Sequence, residues 1–438
     1  MKSKELKAVV VGAGWAGEGH TKALQHYGVD VVAICARKMD VVQKVASRLG
    51  IPEASTDWHK SLLAIKPDIV ALTTPAILRT EVIELAAQLG CHILCDKPLA
   101  TTAEEAGRLY TIVKQAGIKH AFAATHLYDP SVAWVNQLLT SQVIGELKEI
   151  DVAFSRWAGR GPTNTVKPWS WMTSLAYGGG ALNNGLTHQL GMLERMTGMK
   201  MISAVGEARA AKRMAPVLPE IHDYRQWIRK EITAEEASNL EWRECDAEWA
   251  FSALFQLGHS SSFGREKPAK NNARLRLSVL SGAEGSGFPE EKGNTSETEK
   301  GFWVGKSGFS EQSEEKGDKR VLVTMRANPG VPSNVPSSGW YFYGNKGTLV
   351  GKGGHILSPI SKHIGSEVEE LPIPQELSDR LPQVGDDIQN KWVALARDFV
   401  ADIENRPHEP YLTLHDGWRY QVAIDAIRHS DGWTKIPE

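Results

Sequence analysis

Apolar, β-branched runs alternate with helix-period segments through the first 124 residues, the spacing of β-α-β units on a parallel sheet. The runs Lys7 to Val11, Asp30 to Cys35, Asp68 to Leu72, His92 to Cys95 and His120 to Ala124 predict buried strands. Between them, Ala16 to Tyr27, Met39 to Leu49, Trp58 to Ala64, Leu78 to Leu89 and Thr102 to Gln115 predict helices, each long enough for a right-handed crossover. The first part therefore reads as a doubly wound α/β unit of Rossmann type.

Past about Thr125 the rhythm changes. One helix, Ser131 to Thr140, is followed by strands with no regular helix between them: Leu147 to Phe154, Ile202 to Ala208, Ala250 to Gln256, Arg274 to Leu280, Arg320 to Arg326 and Trp340 to Tyr343. This predicts an α+β domain over 125–438 with a large, open, mainly antiparallel sheet beside a 1–124 Rossmann domain. Two stretches read as insertions, a charged helical one over 214–243 and a Gly/Ser/Glu/Lys-rich loop over 282–319. Lys391 to Glu404 and His415 to His429 read as amphipathic helices able to pack back on the first domain.

Size and charge narrow the function. At 438 residues with a formal net charge of −2, the chain suits two globular domains and offers no electrostatic footprint for nucleic acid or an anionic membrane. No apolar run approaches the roughly 20 residues that span a bilayer, and the charged start, Met1 to Lys7, does not read as a secretory leader. Cys35, Cys91, Cys95 and Cys245 form no Cys-x-x-Cys pair and no His/Cys metal spacing. Buried thiols in the cytoplasm, and no metal, are expected.

The first strand runs directly into Gly12-Ala-Gly14-Trp15-Ala16-Gly17 and then a helix. This is the dinucleotide fingerprint in its required context. Gly12 makes the turn, Gly14 admits the pyrophosphate to the backbone, and Gly17 lets helix and strand pack closely, while the helix N-terminus faces the phosphates. An NAD-selective site places a carboxylate at the end of the second strand. Here Arg37 and Lys38 follow Cys35 and Ala36, which favours NADP over NAD, since a guanidinium can pair with a 2′-phosphate.

Oxidising a secondary alcohol needs a base for the hydroxyl proton beside the nicotinamide. Lys97, at the end of the His92 strand, is placed for that work once burial lowers its pKa. His188 titrates near neutrality and is the other natural proton carrier. The triplet Asp96-Lys97-Pro98, the stretch Gly178-Gly179-Gly180-Ala181-Leu182-Asn183-Asn184-Gly185-Leu186-Thr187-His188 and the strand ending Thr73-Thr74-Pro75 together resemble the Gfo/Idh/MocA oxidoreductases. The resemblance implies that Lys97 and His188 share the substrate hydroxyl, that Asn184 holds or orients it, and that Thr74 and Pro75 wall the nicotinamide. It also implies a cis Lys97-Pro98 bond and a dimer or tetramer assembled through the sheet.

The chain departs from that pattern at informative places. Asp96 replaces a Glu, and Asn184 replaces an Asp, so position 184 can hydrogen-bond but cannot take a proton. Leu127-Tyr128-Asp129-Pro130 stands where an Arg precedes the aromatic residue, leaving Tyr128 as a substrate candidate. Trp157, Trp169, Trp171 and Tyr177 offer aromatic faces for a sugar ring, with Trp157 and Trp169 the binding candidates. They serve equally as packing residues of the sheet domain. Arg156 and Arg160 would instead select an acidic sugar.

Three functions fit these residues. The first is an NAD(P)-dependent dehydrogenase or reductase acting on a sugar, polyol or related cyclic alcohol. The second is a redox-neutral enzyme that cleaves a glycoside through a transient keto-sugar on bound NAD(P). The third is a cofactor-binding protein without catalysis.

Overall fold

The alternation of apolar residues along the first strand sets up two packed faces. In Lys7–Val11 (β1), Ala8 and Val10 belong to one buried cluster and Val9 and Val11 to another. The computed structural model describes residues 6–155, 165–209, 214–218, 224–248, 250–259, 320–328, 338–429 and 431–438. With β1, the strands Asp30–Cys35 (β2), Glu53–Ser55 (β3), Ile69–Leu72 (β4), His92–Asp96 (β5) and His120–Ala123 (β6) form one parallel sheet in the order β3-β2-β1-β4-β5-β6. The chain order reverses between β1 and β4. In open α/β sheets that reversal leaves a crevice beyond the strand C-termini, where ligands bind.

The helices Trp15–His26 (α1), Met39–Leu49 (α2), Trp58–Ile65 (α3), Thr80–Gln88 (α4) and Ala103–Ala116 (α5) connect these strands. The 76–78 segment is a separate 3₁₀ turn, so α4 begins at Thr80 rather than at Leu78. The C-terminal helix Asp387–Ile403 packs back on this unit: Trp392, Val393, Phe399 and Val400 share a cluster with Ala8, Val10 and Leu24. Its Trp392 ring lies so close to α1 that a Cβ on Gly19 would come within 1.9 Å of it. Leu414–His429 packs on the opposite face, where Tyr420 and Ile424 join the cluster of Val9, Leu109 and Phe122.

Among the described residues a second sheet has nine strands. In spatial order they are Glu367–Glu370, Ile360–Ile364, Gly347–Lys352, Gly339–Gly344, Leu147–Ser155, Val321–Asn328, Ala250–Gly258, Lys200–Arg209 and Thr434–Lys435. Every neighbouring pair is antiparallel except Leu147–Ser155 with Val321–Asn328. The polar strand 367–370 escapes the apolar pattern because an edge strand needs no buried face, and 360–364 beside it fully buries Ile360 alone. Helices Pro130–Thr140 (α6) and Thr187–Thr197 (α7) link the sheet to the crevice.

The 214–243 stretch differs from the expected helix. Met214–Pro216 pairs with Trp242–Glu244, and among the described residues of the stretch only Tyr224–Arg229 and Ala234–Ala237 are helical. Pro216 opposes helix continuation, and Thr233 starts a fresh helix by a reciprocal cap with Glu236. The Arg274 to Leu280 strand and the 282–319 loop lie outside the described residues.

Candidate active site

The strand ends bring the sequence motifs together. Gly12–Gly17 follows β1, Thr73–Pro75 follows β4, Asp96–Pro98 closes β5, and Thr125–Tyr128 follows β6. At Gly12 the backbone has φ +117, and its N–H donates to Cys35 O at 2.8 Å. A Cβ there would meet Thr73 Oγ1 at 2.3 Å, and one on Gly17 would meet Gly12 O at 2.0 Å. Gly14 is the extended residue before α1, and no side chain caps the helix, so the N–H groups of its first turn (Trp15, Ala16, Gly17) face outward. Thr74 Oγ1 is buried without a partner at the neighbouring strand end. A cradle with no room for Cβ atoms, an uncapped helix start and an orphaned hydroxyl fit a dinucleotide pyrophosphate and its nicotinamide end.

Arg37 and Lys38 are exposed beyond β2, and neither side chain makes a hydrogen bond or ion pair among the described residues. No carboxylate occupies the strand tip, which ends at Cys35.

Lys97 reaches from β5 toward α7. Its Nζ donates to Asn184 Oδ1 at 3.1 Å, while the Asn184 amide N–H groups donate to Gly178 O (3.2 Å) and Gly180 O (3.0 Å). The orientation is thereby fixed: a flipped amide would face oxygen with oxygen and N–H with the ammonium. Burial and the nearby Arg79 guanidinium lower the Lys97 pKa, and Asp96 opposes them. Asp96 itself accepts the Lys97 backbone N–H at 2.6 Å and meets His20 Nε2 at 3.3 Å. Burial would raise its pKa, but His20, Lys97 and Arg79 outweigh that and hold it low. The Lys97-Pro98 peptide is cis.

Each of the three glycines before Asn184 meets a separate demand. Gly178 (φ +81) rests on Ala76 and Pro98, where a Cβ would fall 2.9 and 3.1 Å away. A Cβ on Gly179 would strike the carbonyls of Trp171 and Met172, and one on Gly180 (φ +96) the carboxylate of buried Glu248. Leu182–Leu186 then forms a wide π turn, closed by Thr187 N–H donating to Leu182 O, before α7 begins. Such turns recur at functional sites.

His188 stands on α7, nearly buried, with its ring centroid 4.1 Å from that of His126. His126 in turn stacks on His355 at 4.5 Å, and Gln189 Nε2 meets His355 Nδ1 at 3.0 Å. Burial lowers all three imidazoles. His188 is pushed further by His126 and Lys97, His126 by His355 and Lys391, and His355 reaches about 4 through burial and Lys391. The trio is therefore neutral at physiological pH, each ring offering one donor and one acceptor. Among the described residues no group of His, Cys, Asp or Glu is placed to hold a metal ion.

Several site residues carried no motif. His126 follows β6 at the sheet's C-terminal edge, a position that could have marked it. His355 and His20 had no such signal. Arg79 is buried, and its guanidinium gathers the backbone carbonyls of Thr74 (2.9 Å from Nε), Asp96 and Pro98, tying the ends of β4 and β5 together.

Neither Tyr128 nor Trp169 hydrogen-bonds Lys97 among the described residues. Tyr128 packs in the cluster shared with the Asp387–Ile403 helix, where burial and Asp398 raise its hydroxyl pKa. Trp169 lies under the Arg243 guanidinium (4.6 Å to the ring centroid), edge-on to Tyr177, with its N–H on Glu244 O. These contacts join it to the 214–245 stretch. Trp157, Arg156 and Arg160 lie outside the described residues.

Residues 6–123 match a family model described as an oxidoreductase family with an NAD-binding Rossmann fold, and residues 132–240 match a GFO/IDH/MocA C-terminal domain. Levoglucosan dehydrogenase of Pseudarthrobacter phenanthrenivorans is 28% identical over 204 residues, 44% of this chain and 52% of that protein. D-glucoside 3-dehydrogenase of Escherichia coli is 26% identical over 211 residues, 47% of this chain and 58% of that protein. The matched region thus spans about half the length of these relatives. A solved levoglucosan dehydrogenase structure, in complex with NADH and L-sorbose, shares the fold over 99% of both chains, with a TM-score of 0.69 and 17% identity.

Proposed function

Because the chain belongs to the GFO/IDH/MocA oxidoreductase family, we propose that it is a nicotinamide-dependent dehydrogenase acting on a secondary alcohol of a sugar, polyol or related cyclic substrate. The observation that carries this reading is the Lys97 Nζ to Asn184 Oδ1 contact at 3.1 Å, two strands along the sheet from the glycine cradle. In this reading residues 1–124 hold the dinucleotide and residues 125–438 supply the substrate side. The relatives named above are sugar dehydrogenases, which supports the substrate class.

A bound nicotinamide would supply the hydride acceptor for the alcohol carbon, or the donor for the ketone. Gly12, Gly14, Trp15, Ala16 and Gly17 hold the pyrophosphate side, with Thr74 and Pro75 lining the nicotinamide side. Lys97 takes the hydroxyl proton at Nζ, a role that needs the neutral amine, and burial beside Arg79 favours that form. Asn184 does not relay the proton. Its amide holds the lysine, because both N–H groups are committed to glycine carbonyls. His188, uncharged, hydrogen-bonds the same hydroxyl and orients it.

Arg37 and Lys38 support a preference for NADP, since both are unpaired cations at the ribose end of the crevice. If NADH binds more tightly than NADPH, and Arg37→Ala changes neither affinity, that preference is wrong. The reading extends to a cytoplasmic homodimer or homotetramer. No helix among the described residues is long and apolar enough to cross a membrane, and all four cysteines are free and buried.

Absorbance at 340 nm during turnover of a panel of neutral sugars, sugar acids and inositols tests the reaction. Net NAD(P)H change that Lys97→Ala abolishes supports the dehydrogenase. Product formation without net absorbance change favours the redox-neutral glycoside cleavage. Activity that survives Lys97→Ala intact would overturn both.

A further inference from the structure

Lys97 and Asn184 stand 87 residues apart in the chain, yet the segments that carry them are both tied to one face of the helix Leu414–His429. Gln421, Asp425 and Arg428 follow one another at intervals of four and three, so they share that face. On the Lys97 side, the chain leaves β5 through buried Leu99 and Ala100 and enters α5. The first N–H of that helix, on Ala103, donates to Asp425 Oδ2 at 2.6 Å. On the Asn184 side, Ala181 N–H donates to Glu248 O at 2.8 Å and Leu182 N–H to Glu248 Oε1 at 3.3 Å. These are two of the donors that a helix start leaves without internal partners. Glu248 Oε1 also accepts from Arg428 Nη2 at 2.8 Å. Gln421 Nε2 donates to Asp425 Oδ1 at 3.1 Å and to Asn183 Oδ1 at 3.5 Å, and Arg428 Nη1 lies 3.6 Å from Asp425 Oδ1.

Packing alone does not call for these groups. The Glu248 and Arg428 side chains are almost fully buried, and Arg428 Nε is left without a partner among the described residues. Apolar residues of similar volume often fill such a space at equal or lower cost. What the polar set adds is placement. The Glu248 carboxylate occupies the space beside Gly180 that a Cβ would need, so the turn cannot move toward it. Its hydrogen bond to Leu182 stops the turn from moving away. A reacting constellation has to be held to within about 0.5 Å, and the two braced segments meet at the 3.1 Å contact of Lys97 with Asn184.

We propose that Glu248 and Asp425 are positioning residues for the proton transfer: with Gln421 and Arg428 they form a gauge that sets the Lys97 Nζ to Asn184 Oδ1 contact, Glu248 from the side of the Asn184 turn and Asp425 from the side of α5. Neither touches the reacting atoms. The inference rests on Lys97 as the proton acceptor, and it is independent of the sugar and of the choice of nucleotide.

The test is a ¹³C NMR titration of the Lys97 ε-carbon in the full chain, its resonance assigned by its loss in Lys97→Ala, at a temperature where each variant is folded. Glu248→Ala and Asp425→Ala should each lower the titration midpoint by about 1 pH unit, because the ammonium loses its amide acceptor. Glu248→Gln removes the same charge but keeps an acceptor oxygen for Leu182 N–H, and should titrate as wild type. The charges that act most on Lys97 are Asp96 and Arg79, so a residue that only stabilised the fold would shift the melting curve and leave the midpoint in place. Unchanged midpoints in folded Glu248→Ala and Asp425→Ala overturn the gauge. A fall in Glu248→Gln equal to that in Glu248→Ala also overturns it, since charge and not placement would then be the cause. If Glu248→Ala does not fold, an unchanged midpoint in Asp425→Ala, whose side chain is part-exposed, overturns it alone. Turnover that survives Lys97→Ala would overturn the reading of Lys97 itself, a separate outcome.

Discussion

Replacing Asn184 by Asp puts a carboxylate 3.1 Å from the Lys97 ammonium, the distance now spanned by the amide oxygen. At an effective dielectric constant of 20, two unit charges at that separation attract by about 5 kcal/mol, a ceiling of about 4 pKa units. Two effects reduce it. Lys97 is only partly buried, so water screens the pair. The new carboxylate also loses both N–H donors, and its outer oxygen then faces the carbonyls of Gly178 and Gly180 at 3.2 and 3.0 Å. We expect the Lys97 pKa to rise by at least about 1 unit, and the fold to lose about 2 kcal/mol from the two broken hydrogen bonds. Oxidation needs the neutral amine, so below the new pKa the rate should fall about tenfold per unit of rise. The ascending, acidic limb of the pH–rate profile should move to higher pH by the same amount. Titrating the ε-carbon of ¹³C-labelled Lys97 reads the shift directly, without a substrate. A lysine titration and a pH limb that both stay in place in Asn184→Asp would refute the claim that the amide keeps Lys97 deprotonatable.

Further outcomes follow from the same geometry. The folded-state pKa values of His126, His188 and His355 lie below the ordinary imidazole value, so the unfolded chain binds more protons as pH falls below about 6.5. Stability should therefore decline from pH 7 to pH 4. The His355 share, with its pKa near 4, is at most about 3 kcal/mol, and His355→Gln should flatten the melting temperature against pH. Arg79→Met strips the carbonyls of Thr74, Asp96 and Pro98 of a buried donor. It should cost about 3 kcal/mol and weaken NADH affinity, read by denaturant melts and fluorescence titration. Gly19→Ala forces a methyl into the Trp392 ring. We expect a loss of about 1–3 kcal/mol; unaltered stability would mean the Asp387–Ile403 helix is not seated on α1.

The Rossmann unit was legible because each strand is a short apolar run and the Gly12–Gly17 turn tolerates no side chain. Lys97, Asn184 and His188 were legible from their motifs, and the structure brings Lys97 into contact with Asn184. Glu53–Ser55 and the strands of 360–370 escaped, since pairing and not an apolar pattern defines them. Arg79, His126 and His355 escaped for another reason. Their roles come from backbone and ring contacts made across distant segments, which no local period encodes. Tyr128 read as a substrate candidate from its place after β6, and its ring packs against the apolar cluster that the Asp387–Ile403 helix shares with Trp15.

The wide turn at Leu182–Leu186 holds one residue more than an ordinary helical turn would. Deleting a residue there would leave a continuous, well-bonded helix in its place. Everything on one side of the deletion would nevertheless turn by about 100° about the helix axis, carrying Asn184 and His188 to different faces. In this fold, then, chemistry and stability respond to different kinds of genetic change. Substitutions around the crevice adjust the reaction by degrees, whereas a shift in the length of this one turn would remove it while the protein stayed folded.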